Sequence, residues 1–147
     1  MKSIFAVAAL VASAMAQGVV ISAPPPLATL TAGETTVVEV VRPDSLTGSQ
    51  EVSVAIGIQS CVGRAPAGTC DGVDTSGYIG TSPLYVGPYT PQIVPGGHSA
   101  ALVQNFTVTV PDYLQPGAAV IAVAHFSLIL GVEILFEVVN QTVIIGN

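Results

Sequence analysis

Short apolar–polar alternations, cut off by turn residues before they reach helical length, constrain this chain more than any other feature. Between Glu51 and Gln59, the side chains of Val52, Val54, Ile56 and Ile58 fall on one face, and Glu51, Ser53, Ala55, Gly57 and Gln59 on the other. A period of two is the signature of a half-buried strand. Gln104 to Val110 repeats it, with Phe106, Val108 and Val110 inward and Asn105, Thr107 and Thr109 outward. Thr35 to Arg42 is a third such segment, with Val38 and Val40 inward and Glu39 outward. Val19 to Ser22, ahead of Pro24-Pro25-Pro26, reads as an edge strand. So does Tyr78 to Val86, because Pro83 cannot donate to a ladder on both sides.

Two segments near the C-terminus differ. Ala118 to Leu130 is apolar on both faces, so this strand is either central and covered or carries a sticky outer face. A central strand under a covering loop is the simpler expectation. Leu135 to Ile145 follows, and the pattern predicts Ile134, Phe136 and Val138 inward with Glu133 and Glu137 opposite. Composition explains why none of this becomes helix. Val, Ile and Thr supply 43 of the 131 residues from Gln17 onward, and Gly and Pro another 26. β-branched side chains suit a pleated surface, and the Gly/Pro punctuation interrupts helices before they nucleate. The sequence therefore predicts an all-β fold, an immunoglobulin-like antiparallel β-sandwich of about seven strands. Pro111 to Gly117 is the expected crossing between sheets, and no Trp is present to form the Cys–Trp–Cys core of antibody domains.

The N-terminus reads separately. Lys2, the apolar run Ile4 to Ala14 and Ala14-Met15-Ala16 have the order of a secretory signal peptide over residues 1–16. The run is too short to span a bilayer, and no other stretch reaches the ~20 apolar residues a membrane helix needs. Residues 17–147 then form a single domain with two arginines, nine acids, no lysine and a formal charge of −7. Such a chain has nothing with which to neutralise a phosphate backbone or an anionic bilayer, which excludes nucleic-acid and membrane-surface partners. Its apolar content equally excludes disorder.

Few residues suggest chemistry. Cys61 and Cys70 are the only cysteines, and a disulfide between them is the default in an oxidising compartment. On the loop-entropy account it contributes about 2.5–3 kcal/mol. Asn105-Phe106-Thr107 and Asn140-Gln141-Thr142 are N-glycosylation sequons. Asn105 has outward parity, whereas Asn140 shares the parity of Ile134, Phe136 and Val138 and needs a bulge near Val139 to reach solvent. Gly97-His98-Ser99-Ala100-Ala101 nearly matches a nucleophile elbow, but that turn needs a following helix, and a Gly-Gly turn is the simpler reading. His125 lies mid-strand as a structural residue bonded across strands. Asp71 and Asp74 share a Gly-rich loop and read as solvated turn rather than acid–base pair or calcium site. Tyr78, Tyr85 and Tyr89 form either a small exposed patch or edge-strand packing. No catalytic residue, cofactor or metal is expected.

Longer stretches carry a resemblance. Arg42-Pro43-Asp44-Ser45-Leu46-Thr47-Gly48-Ser49-Gln50-Glu51-Val52 is followed by Ile56-Gly57-Ile58-Gln59-Ser60-Cys61. Later come Leu84 to Gln92, Gln104 to Pro111 and Ala124-His125-Phe126-Ser127-Leu128. In this order, behind a signal peptide, they resemble the necrosis-inducing secreted protein family of fungal effectors. The resemblance implies a secreted, extracellular protein that acts on a plant host, with entry into host cells a further possibility. It implies suppression of pattern-triggered immunity through host proteins, immune receptor-associated kinases among them. It brings no catalytic residues and points to the loop Arg42, Pro43, Asp44, Ser45, Leu46, Thr47 and Gly48 as a candidate partner-binding surface. The ordinary reading of that loop is that Arg42 pairs with Glu51 or caps a turn. The chain departs from the family pattern at Ile129 to Leu135, which stays hydrophobic where a Gly/Pro-rich turn is expected. The alternative function is a non-catalytic module associated with cell-wall polysaccharide.

Overall fold

Residues 18–45, 48–95 and 100–146 are described by the structure, a computed structural model. The segment expected to be a signal peptide, Leu46, Thr47, His98 and Ser99 lie outside the described residues. Nine strands occur among the described residues: β1 (Val20–Ala23), β2 (Thr29–Thr31), β3 (Thr35–Arg42), β4 (Ser49–Ser60), β5 (Ser82–Pro88), β6 (Gln92–Ile93), β7 (Leu102–Thr109), β8 (Gly117–Ile129) and β9 (Glu133–Gly146). They build two sheets, one ordered β1-β3-β7-β6 and one ordered β2-β9-β8-β4-β5. The all-β sandwich is as the alternation predicts. Short β2 and β6 raise the strand number above seven, and β2 runs parallel to β9, so the larger sheet is mixed rather than wholly antiparallel. No helix among the described residues is long and apolar enough to cross a membrane.

The core fills the space between the sheets. Val38 and Val40 of β3 and Phe106 and Val108 of β7 face Val54, Ile56 and Ile58 of β4, Ile121 and Val123 of β8, and Val143 and Ile145 of β9. Each such side chain contributes about 1.5–3 kcal/mol by leaving water. Tyr89 is wholly buried among them, donating its hydroxyl to the Val40 carbonyl at 3.2 Å. Tyr85 lies against Phe106 with ring centroids 4.6 Å apart. With Tyr89 inside and Tyr85 packed on Phe106, the three tyrosines do not form an exposed patch. Of these three, Tyr78 alone is exposed.

Strand β8 lies at the centre of the larger sheet, between β9 and β4. The loop after β4 covers the first half of its outer face. Cys61 and Cys70 are disulfide-bonded, with Cα atoms 5.2 Å apart. Together with Ala65 and Val73 they pack on Ala118, Val120 and Ile144. The loop then lies directly on β4: a side chain at Gly57 would place its Cβ 2.3 Å from the Ile79 carbonyl oxygen. Asn140 Nδ2 ties β9 to the same loop, donating to Thr75 Oγ1 at 2.8 Å.

Candidate functional site

The other half of β8, towards the β8–β9 turn, shows where period-two reading assigned the wrong face. In β4, Val52 is an extra residue: Glu51 pairs with Ser127 and Ser53 with Phe126, so a bulge separates them. The bulge releases Val52 from the core face on which the alternation placed it and turns Glu51 inward. In β9 the inward set is Glu137, Val139, Val143 and Ile145, and the outward set is Ile134, Phe136, Val138 and Asn140. The expected orientation is therefore reversed, with no bulge near Val139, because β8 and β9 stay in continuous register from Gly117↔Ile145 to Ile129↔Glu133.

The reason is His125. It is fully buried on the inner face of β8, and both ring nitrogens meet carboxylates: Nε2 lies 2.6 Å from Glu51 Oε2, and Nδ1 2.9 Å from Glu137 Oε1. An uncompensated buried imidazole costs several kcal/mol, so the strands turn two acids inward and send apolar residues out. Arg42 Nε completes the cluster at 2.8 Å from Glu51 Oε1, and Arg42 Nη2 donates to Ser45 Oγ at 2.9 Å. Ser49 Oγ donates to Glu51 Oε1, and the Val19 amide to Glu137 Oε1 at 2.8 Å. Burial presses the imidazole pKa down, but the hydrogen bonds to Glu137 and Glu51 and the charges of both outweigh it, so His125 titrates above its ordinary value. Burial likewise raises the Glu51 carboxyl, and the bonds from His125 and Ser49 with the charges of His125 and Arg42 reverse this, holding it low. With His125 protonated, two cations balance two anions. The tyrosine ring of Tyr89 stands edge-on to His125 at 5.5 Å.

Two surfaces meet above this cluster. The amide of Leu130 donates to the Gly48 carbonyl at 3.0 Å, so the β8–β9 turn is fastened to the loop that the resemblance singled out. Of that loop, Arg42 is buried, Pro43 and Ser45 are half-buried, and Asp44 and Gly48 are exposed. The turn and the outer face behind it are apolar and open: Leu130 is 74%, Val132 83%, Ile134 69% and Phe136 61% exposed. Phe136 pairs across with Phe126, and Ile134 with Leu128. The covered arm of the sequence expectation for β8 holds near Gly117, under the disulfide loop. Towards Leu130 its outer side chains Phe126 and Leu128 are half-buried, and the open apolar surface belongs to the turn and β9.

The remaining candidates fall elsewhere. Asn105 is exposed on β7, in the smaller sheet. Asn140 is exposed on the outer face of β9, contrary to its expected inward parity, with its amide engaged by Thr75. Asp71 and Asp74 are exposed loop residues, and Asp74 Oδ1 accepts the Ser76 amide at 2.8 Å. Among the described residues no group of three or more His, Cys, Asp or Glu could hold a metal ion.

No curated protein matches the chain. The sequence pattern of the Nis1 family, however, matches residues 12–144, spanning the loop, the charge cluster and the open hairpin. The chain belongs to the Nis1 family, which is a fungal effector-type family.

Proposed function

We propose that this protein is a secreted, non-catalytic effector that binds host proteins and suppresses plant pattern-triggered immunity, with receptor-associated kinases as its targets. The observation that carries this reading is the meeting of the Arg42–Gly48 loop and the open apolar hairpin at one end of the sandwich. An exposed apolar surface of that kind marks a contact site rather than a fold requirement. Family membership and a disulfide are both compatible with secretion. The burial of Tyr89 and the packing of Tyr85 speak against an aromatic sugar platform.

The test is direct. Purified protein is expected to bind kinase domains of host immune receptors in a pull-down and to dampen an elicitor-triggered oxidative burst in leaf tissue. Absence of both effects would overturn the reading.

A further inference from the structure

The open half of the outer face has two properties that the fold does not require. Val132, Ile134 and Phe136 point away from the core, so polar residues there would leave the sandwich intact. Its rim also carries charge of one sign. Glu133 is exposed at the tip of the hairpin between Val132 and Ile134. Asp44 is exposed in the loop whose Gly48 carbonyl accepts the Leu130 amide, whereas Arg42 is buried in its ion pair with Glu51. Arg64, the other arginine of the described residues, follows the far end of β4, about 35 Å away for a strand of this length.

We infer that this end of the molecule docks on a protein partner that presents an apolar groove edged by lysine or arginine. The inference rests on the effector reading and gives it a contact face. Phe136 and Ile134 enter the groove as the anchors, since a few buried aromatic and apolar side chains carry most interface energy. Asp44 and Glu133 meet the basic edge and steer the approach. A second copy of this chain fits less well, because it would bring Asp44 and Glu133, and a further charge of −7, against their own kind. An anionic bilayer is repelled for the same reason.

The experiment titrates the purified protein with two synthetic amphipathic peptides, one of leucine and lysine and one of leucine and glutamate. The expected result is binding to the lysine peptide at least about ten-fold tighter than to the glutamate peptide, a margin of ~1.4 kcal/mol. Ile134→Ser with Phe136→Ser should lose about ten-fold or more of that affinity at unchanged circular dichroism and Tm. Asp44→Lys with Glu133→Lys should weaken binding and flatten its salt dependence, and Val37→Ser, exposed on the smaller sheet, should change nothing. Equal binding of both peptides, or undiminished binding by the Ile134/Phe136 variant, overturns the inference. So does self-association, or co-sedimentation with phosphatidylcholine vesicles, that the same variant abolishes, since the face then serves a second copy or lipid. No kinase enters this assay. Its failure leaves the immune reading to the oxidative-burst test, and a failed burst test with the peptide preference intact removes the immune reading alone.

Discussion

His125 and Glu51 make stability depend on pH from opposite sides. The Glu51 carboxyl is held below its ordinary 4.5, so its contribution is present above about pH 4.5 and is lost as pH falls through the lowered folded value. The His125 imidazole is held above its ordinary 6.5, so its contribution is complete below about pH 6.5 and is lost as pH rises through the raised folded value. Both act fully between those limits, and the Tm should peak there and decline on the alkaline side. Scanning calorimetry across pH 4 to 9 checks this, and His125→Gln should remove the alkaline decline. Glu51→Gln leaves two buried cations facing one acid and is expected to cost about 3–5 kcal/mol, read as a lower denaturant midpoint. Ser127, opposite Glu51 in the ladder, is fully buried, and its hydroxyl has no hydrogen-bond partner among the described residues. Replacing it with Ala removes a desolvated polar group without altering the backbone, so Ser127→Ala should raise stability by roughly 1 kcal/mol.

At the scale of the element, the disulfide loop earns its place by covering sheet rather than by supplying chemistry. Without the Cys61–Cys70 link, a separation of nine residues, the loop regains freedom worth about 2.5–3 kcal/mol on the entropic account. Cys61→Ala with Cys70→Ala should lower the unfolding free energy by that amount. It should also raise the fluorescence of a hydrophobic dye, because Ala118 and Val120 lose their cover. The strands themselves were legible from sequence: β3 and β7 lie where alternation placed them, with Val38, Val40, Phe106 and Val108 inward. Alternation defines two faces without saying which is inner, and in β9 the inner face is the one that carries Glu137 rather than the one that carries Phe136. The missing signal was a pairing. A histidine amid an apolar strand demands partners, and Glu51 and Glu137 sit where neighbouring strands can supply them. The bulge at Val52 that delivers Glu51 has no mark in a single sequence, because the alternation runs unbroken through it. The loop half of the candidate site was legible only through family resemblance, and the open hairpin only as the hydrophobic stretch Ile129 to Leu135 where a Gly/Pro-rich turn is expected.

For the whole molecule, acidity and the open apolar face have to be considered together. A sandwich that leaves Leu130, Val132, Ile134 and Phe136 in water would normally associate through them. This chain from Gln17 onward carries a formal charge of −7 at neutral pH, and none of it is relieved by lysine. Two copies approaching through the hairpin end bring that charge together over distances comparable to the Debye length of ~8–10 Å at physiological salt. Repulsion of this range is expected to hold copies apart at neutral pH while the apolar face stays open. The balance should shift when the charge is removed. Near the isoelectric point of about 4.4, or in ~1 M salt where screening shortens to ~3 Å, reversible self-association is expected in sedimentation velocity. Ile134→Ser with Phe136→Ser should suppress it under both conditions. At neutral pH and ~0.1 M salt, variant and parent should sediment alike as monomers. A parent protein already dimeric there would mean that charge does not hold the copies apart, and the face would then be a contact between copies of this chain.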